Sequence, residues 1–188
     1  MKGALVVILM LLLIGGIAGA GLVSSRNQLV SEKNNIDERW AEVDNTMKRR
    51  ADLIPNLVET VKGYAKQEQT VIGEVTSARS ALLNARSPED KISANNSLSG
   101  AIGRLLVLQE NYPDLKSNEN FRRLMDELSR SENRIALARH DYNEAIRRYN
   151  TDVELFPKNI AASLFGFQHN DSYFRASDEE KKVPAVRF

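Results

Sequence analysis

The chain has no cysteine among its 188 residues. Disulfide bonds, thiolate metal sites and the lipid-modified N-terminal cysteine of lipoproteins are therefore excluded. Histidine is scarce too, with His140 and His169 only, and we interpret both as surface residues. No Ser-His-Asp set, Glu-x-x-His pair, Walker loop or G-x-G-x-x-G sequence can be assembled. We therefore predict no catalytic residue, no metal ligand and no cofactor.

An excess of either charge is also missing, since the formal net charge is +1 at neutral pH. Proteins that bind nucleic acid usually carry a basic excess or a basic face. The basic pairs along this chain have acidic neighbours about one helical turn away, so ordinary i,i+4 ion pairs are expected. We predict no nucleic-acid partner.

Proline is rare, with five residues, and there are only six phenylalanines. Hydrophobic residues make up 42% of the chain and charged residues 27%, which is enough apolar material to form a buried core. Together with abundant Leu, Ala, Arg and Glu, this composition predicts an all-α protein. The length suits one domain plus an anchor.

One long uncharged apolar run covers residues 3–23, after a single cation at Lys2. As a helix it would be about 31 Å long, which matches the hydrocarbon core of a bilayer. We predict a transmembrane anchor at residues 1–23, with the lipid bilayer as its partner. The alternative is a cleaved signal peptide, because residues 18–20 resemble an A-x-A cleavage site. The residues that define the predicted anchor are Gly3, Leu12, Gly15, Gly19 and Val23.

Gly15 and Gly19 are spaced four residues apart and form a small-residue face through which two anchors could approach closely. The alternative is that these glycines reflect the usual composition of membrane helices and signal sequences. The flanking charges do not determine which side of the membrane carries the rest of the chain. Arg26, Lys33 and Arg39 favour the cytoplasm, whereas the signal-like start favours the opposite side.

From residue 29 onward apolar residues recur with the 3-4 spacing of a coiled-coil-like helix. The spacing predicts long antiparallel helices at about residues 24–86, 88–111 and 118–156. Ser87 is the expected N-cap of the second helix and Pro88 its first residue. Pro157 ends the third helix. We assign residues 24–156 to this helical domain and residues 157–188 to a tail with one short helix.

Pro55 falls inside the first predicted helix, where a proline costs about 3 kcal/mol. The apolar spacing keeps its phase across this residue, which favours a kink in a continuing helix. The alternative is a restart, with Asp52 as the N-cap and Pro55 in the first turn.

The predicted lengths leave part of the first helix uncovered. At 1.5 Å per residue the first helix would be about 95 Å long and the second about 36 Å, so the second reaches back only to the level of Tyr64. An exposed apolar seam predicts self-association between chains, whereas a turn at Pro55 would allow a complete monomer. At Arg50 the heptad calls for an apolar residue, so this side chain should pair with the third helix or fix the register between chains. The residues of the predicted seam are Leu29, Ile36, Trp40, Val43, Met47 and Arg50.

The tail carries an aromatic cluster that is unusual for irregular chain. Either it closes an open end of the helical bundle, or it contacts a partner or the membrane. Its residues are Phe165, Phe167, Tyr173 and Phe174.

Several segments resemble the LemA family of bacterial membrane-anchored helical proteins. They are "RRADLIPNLVETVKGYA", "ENYPDLKSNENF", "SENRIALARHDYN", "YNTDVELFP", "GFQHNDSYF" and "VPAVRF", in the family's order over residues 49–188. The resemblance implies long antiparallel helices on one transmembrane segment of the bacterial cell membrane. It implies no established activity and no catalytic residues. Some members of the family belong to the magnetosome membranes of magnetotactic bacteria, which suits a membrane-organising role.

These observations predict a non-enzymatic scaffold or adaptor that works through protein–protein association. Its expected partners are other copies of the chain and other membrane proteins. One alternative is a membrane-organising or lipid-binding protein, which would need an amphipathic basic face outside the anchor. The other is an uncharacterised enzyme, which would need a polar cavity between the helices.

Overall fold

The structure, a computed structural model, describes residues 2–174 and is helical over most of that range. A 3-10 turn, Gln109–Asn111, follows the third α-helix. The all-α prediction is confirmed, and residues 175–188 of the predicted tail lie outside the described residues. The helices are α1 (Lys2–Tyr64), α2 (Gln69–Asn84), α3 (Pro88–Leu108), α4 (Pro113–Ser117), α5 (Glu119–Glu154) and α6 (Lys158–Phe165).

Helix α1 is 63 residues long and continues through Pro55. The prediction that the helix continues is therefore confirmed and the alternative of a restart at Asp52 is wrong, while the kink at Pro55 stays a prediction. Ile54, Leu57 and Val58 beside the proline are buried. Their burial, at about 1.5–3 kcal/mol each, more than offsets the cost of a proline within a helix.

The first part of α1 differs from the rest in its surface. Every side chain over residues 3–21 is exposed, including the large apolar ones from Leu5 to Ile17. By length and composition this helix can cross a membrane. Such an exposed apolar surface is what lipid would cover.

The prediction of one helix over residues 24–86 is wrong, because the chain turns at residues 65–68 between α1 and α2. The Glu68 backbone N–H donates to the Ala65 carbonyl at 3.1 Å within this turn. The apolar spacing hid the turn because Val71 and Ile72 are adjacent. Ile72 is buried where the heptad predicted Val71, so one apolar row shifts by one residue without a polar interruption, while Val75 and Leu82 of the other row are buried as predicted.

The described chain divides into two compact units, and the one called here the bundle unit contains residues 40–141 and Phe174. Helices α1, α2, α3 and α5 run alternately in opposite directions in it. Arg79 of α2 donates to the Ala51 carbonyl of α1 at 2.8 Å, and Asn118 before α5 donates to the Tyr64 hydroxyl at 2.9 Å. Its largest fully buried side chains include Met47, Ile54, Leu57, Leu98, Leu105, Leu115, Phe121 and Ile135.

The other unit, called here the anchor unit, contains residues 2–39 and 142–173. Gln28 Nε2 of α1 donates to Asp152 Oδ2 of α5 at 3.2 Å, so the two helices are antiparallel. Leu29, Ile36, Ile146 and Tyr149 are buried in this unit. Helix α6 ends at Phe165 and is capped by Gly166, whose φ of 74° places it in the left-handed conformation that favours glycine.

The predicted association seam is buried within a single chain. Leu29, Val43 and Met47 have no exposed surface, and Ile36 and Arg50 are each 4% exposed. The expectation that nothing in the same chain covers these residues is therefore wrong. The turn at residues 65–68 brings α2 and α3 back along α1, and α5, about 54 Å long, reaches back to residue 28. Trp40 is half-buried and contacts Phe174.

Candidate functional site

Arg50 is the centre of a buried polar cluster in the bundle unit. Its Nη1 atom lies 2.5 Å from Glu132 Oε2 of α5 and donates to Ser99 Oγ of α3 at 2.8 Å. A longer bond of 3.4 Å reaches Asn95 Oδ1, also on α3. The predicted pairing of Arg50 with an acidic residue of the third long helix is present in the structure. One side chain therefore joins α1, α3 and α5.

Burial and the ion pair have opposite effects on the charge of Arg50. Burial lowers the pKa of the Arg50 guanidinium, and the Glu132 carboxylate partly opposes that effect. Arg50 Nε is buried without a hydrogen-bond partner among the described residues, and the buried Glu132 Oε2 has the Arg50 guanidinium as its ion-pair partner, so the polar atoms of the cluster are imperfectly satisfied. Burying the two charged groups costs desolvation free energy, and their contacts fix the positions of three helices relative to one another.

A second polar cluster, called here the tail clamp, joins α5 to the chain after α6 in the anchor unit. The Asn150 side chain donates to the Asn170 carbonyl at 2.8 Å and to the Tyr173 hydroxyl at 3.0 Å. It also accepts from the Asn170 backbone N–H at 2.8 Å. Tyr149 donates its hydroxyl to the Gln168 carbonyl at 2.9 Å, and burial raises the pKa of this phenol. Residues 168–173 are thus held along α5 by two consecutive side chains.

The sequence did not predict the tail clamp, although both segments that form it were among those that resemble the LemA family. Asn150 belongs to the segment "YNTDVELFP", and its partners belong to "GFQHNDSYF". A buried asparagine within a helix has no sequence signal of its own. The structure brings together two of the segments that carry the family resemblance.

A polar cleft of about 500 Å³ lies beside the tail clamp. Lys33 and Asp37 of α1 line one side, and residues 166–172 line another. His169 sits between two carboxylates, with Nε2 3.4 Å from Glu154 and Nδ1 3.3 Å from Asp171. Within residues 2–174, no group of three His, Asp or Glu side chains is arranged to hold a metal ion. The cleft is wide and polar, so it suits water and small ions better than an apolar ligand.

The four aromatic residues of the tail have different surroundings. Phe174 is buried against Trp40, with ring centroids 5.9 Å apart, and lies under the Arg139 guanidinium. Tyr173 is half-buried in the tail clamp, and Phe167 is half-buried as well. Phe165 is exposed beneath Arg26.

The glycine face of the predicted anchor is open. A Cβ atom added at Gly15 or Gly19 would meet no atom within 4 Å. A second helix could therefore approach there, and association of anchors stays a prediction.

The sequence profile of the LemA family matches residues 39–188. The chain belongs to the LemA family. Protein LemA of Metamycoplasma hominis is 27% identical over 163 residues, which cover 85% of this chain and 73% of that relative. The LemA match includes the Arg50 cluster and the α5 and tail segments of the tail clamp, but not the apolar run at residues 3–23.

Magnetosome proteins match over shorter stretches. Magnetosome protein MamQ 1 of Paramagnetospirillum magneticum is 34% identical over 84 residues, covering 45% of this chain and 30% of that protein. Magnetosome protein MamQ of Magnetospirillum gryphiswaldense is 30% identical over 77 residues, covering 41% of this chain and 28% of that protein. The match spans less than a third of each magnetosome relative. These relatives and the exposed apolar segment of α1 indicate a membrane location.

Proposed function

We propose that this LemA-family chain is a non-enzymatic scaffold of the bacterial cell membrane that works through protein–protein association. The observation that carries the proposal is the continuity of α1. One helix of 63 residues contains both the apolar segment able to cross a membrane and the first helix of the bundle unit. In this proposal a single helix both anchors the chain in the membrane and contributes to the surface that contacts a partner.

The polar chemistry of the bundle unit supports a structural role. Asn95 is buried, and its side chain, like those of Ser99 and Glu132, contacts Arg50. Groups paired in this way hold helices in register. They are not free to bind a substrate.

A shallow groove between α1 and α5 in the bundle unit is the contact surface we propose. It has a volume of about 320 Å³ and combines the apolar Leu53 and Leu137 with charges of both signs. Leu137 is 63% exposed, which is a large fraction for a leucine. The exposed faces of this chain carry the same mixture, for example the ion pair between Arg148 and Glu144. A helix of a second copy is therefore a complementary occupant.

Cross-linking tests this proposal directly, because the natural chain has no cysteine to react. The full chain with Leu137→Cys is placed in lipid vesicles and treated with a short bismaleimide. We expect covalent dimers whose yield persists as the vesicles are diluted with more lipid. Leu83→Cys, on α2 and also exposed, is the matched control. If the dimer yield at Leu137→Cys falls on dilution to that of the control, association of copies through this groove is wrong.

A further inference from the structure

Among the described residues outside the anchor, a group of exposed apolar side chains surrounds the junction of α5 and α6. Leu155, Phe156, Ile160 and Leu164 are between 50% and 78% exposed, and Phe165 is 42% exposed. The opposite face of α6 is packed, with Ala161 and Ala162 buried. Ile160 and Leu164 are spaced four residues apart and therefore lie on the same, outward face of α6. These five residues are called here the α6 patch.

The α6 patch lies next to the end of the apolar run of α1, within the same anchor unit. The Arg26 guanidinium stands 5.6 Å from the centre of the Phe165 ring. Asp152 accepts from Gln28 Nε2 at 3.2 Å and pairs with Lys158 of α6 at 2.7 Å. Helix α6 is therefore tied to residues 26–28 of α1.

That position corresponds to a definite depth in a bilayer. Arg26 follows Val23 by three residues, or about 4.5 Å of helix. The headgroup region is about 5–7 Å thick on each side of the hydrocarbon core. With residues 3–23 in the core, Arg26 and the α6 patch beside it are placed among the headgroups and the ends of the acyl chains.

We infer that the α6 patch inserts into the membrane interface beside the anchor, so that the chain contacts lipid through two elements. The occupant is the lipid bilayer, because Phe165 of the patch lies beside Arg26, three residues past the exposed apolar run that lipid would cover. Interfacial elements combine apolar side chains that enter the headgroup region with nearby cations, here Arg26 and Lys158. The packed alanines hold α6 against the protein, so its outer residues meet the lipid without the helix having to fold on the membrane. The inference rests on the anchor and is independent of association between copies.

Depth measurement with spin labels tests the inference on the full chain in vesicles of phosphatidylethanolamine and phosphatidylglycerol. Leu164→Cys and Phe156→Cys each carry a nitroxide, and neither replaces a buried side chain. Collision with oxygen, which concentrates in lipid, is compared with collision with a water-soluble nickel complex. We expect both labels to favour oxygen at least several-fold more than a label at Val107→Cys, an exposed apolar position of α3.

A label at Leu12→Cys reports separately whether the anchor is inserted. With that label in lipid, nickel collisions at Leu164→Cys and Phe156→Cys equal to those at Val107→Cys would overturn the inference. Protection of both labels from oxygen and nickel alike would also overturn it, because that pattern indicates a covering protein rather than lipid.

Discussion

Arg50 shows how one charged side chain acts in this bundle. It lies at a core position, 4% exposed, and contacts groups on α3 and α5. A buried ion pair usually adds little net stability, because desolvation of both ions consumes most of the attraction between them. Its effect is to favour one arrangement of the helices over others. An apolar residue at this position would pack, but it would not select α3 and α5 as neighbours.

Removing only one partner of the ion pair should therefore be worse than removing both. We expect Glu132→Leu to lower the free energy of unfolding by about 1–3 kcal/mol, since it leaves the Arg50 charge buried; the partial exposure of Glu132 moderates the loss. The double variant Arg50→Met with Glu132→Leu should be more stable than Glu132→Leu alone. Denaturant unfolding of the full chain in detergent, followed by circular dichroism, measures both values.

The exposed pair of Arg130 and Glu127 on α5 provides a matched comparison, with its atoms 3.9 Å apart. The corresponding Arg130→Met and Glu127→Leu cycle should show a coupling of less than about 1 kcal/mol. A double variant of Arg50 and Glu132 no more stable than the single one would contradict the argument for a stranded charge.

At the scale of elements, the features with local causes were predictable. Ser87 accepts a hydrogen bond from the Asp90 backbone N–H at 3.0 Å and caps α3, as its place before Pro88 indicates. Asn118 does the same for α5, accepting from the Phe121 backbone N–H at 2.9 Å. Each cap involves residues three positions apart, so a short stretch of sequence contains all the information.

The turn at residues 65–68 could not be predicted from neighbouring residues, because residues distant in sequence stabilise it. The Tyr112 hydroxyl donates to Glu68 Oε1 at 2.9 Å and accepts from Gln67 Nε2 at 3.1 Å. The partners are about 45 residues apart in sequence. Residues 65–68 carry no proline or glycine, and the apolar spacing continues on both sides. Local propensity therefore favoured a continuing helix, and tertiary contacts decided otherwise.

The tail clamp also depends on residues that are distant in sequence, and its hydrogen bonds can be tested by removing one side chain. Asn150→Ala removes three hydrogen bonds to Asn170 and Tyr173, each worth about 0.5–1.5 kcal/mol net. We expect residues 167–173 to detach from α5 while the bundle unit stays folded. Limited proteolysis followed by mass spectrometry should show new cleavage in that segment, with little change in helical content.

Asn159→Ala provides the control, because Asn159 is an exposed residue of α6. It should leave the protease pattern unchanged. Equal protection of residues 167–173 in Asn150→Ala and in the natural chain would show that the clamp does not hold the segment.

At the scale of the whole molecule, the apolar seam of α1 belongs to the core. The heptad pattern identified Leu29, Ile36, Val43 and Met47 correctly as residues that must be covered. It could not identify what covers them, since the spacing is the same for a partner helix of the same chain and of another chain. The turn that was not predicted shortens the first helix and lets the later helices of the same chain cover the seam.

Burial of the seam within one chain determines what acidic substitutions there will do. Val43→Asp and Met47→Asp should unfold the bundle unit instead of dispersing an assembly, because each places a carboxylate in an apolar core. We expect a loss of more than about 3 kcal/mol for either change. Thermal unfolding of the full chain in detergent, followed by circular dichroism, measures it.

Lys48→Asp and Asn45→Asp on the exposed side of α1 are the controls. They should change the unfolding temperature only slightly. Unchanged helicity and stability in Val43→Asp, together with a smaller particle mass, would indicate that the seam lies between chains and not within one chain.

The pairing of Gln28 with Asp152 also has a consequence for the time at which the chain can become complete. The two residues are 124 positions apart, so at about 5–20 residues per second the ribosome needs roughly 6–25 s to make the second after the first. The anchor has left the ribosome long before α5 exists. Leu29 and Ile36 therefore stay uncovered until α5 has been made, and the anchor unit can be completed only after that.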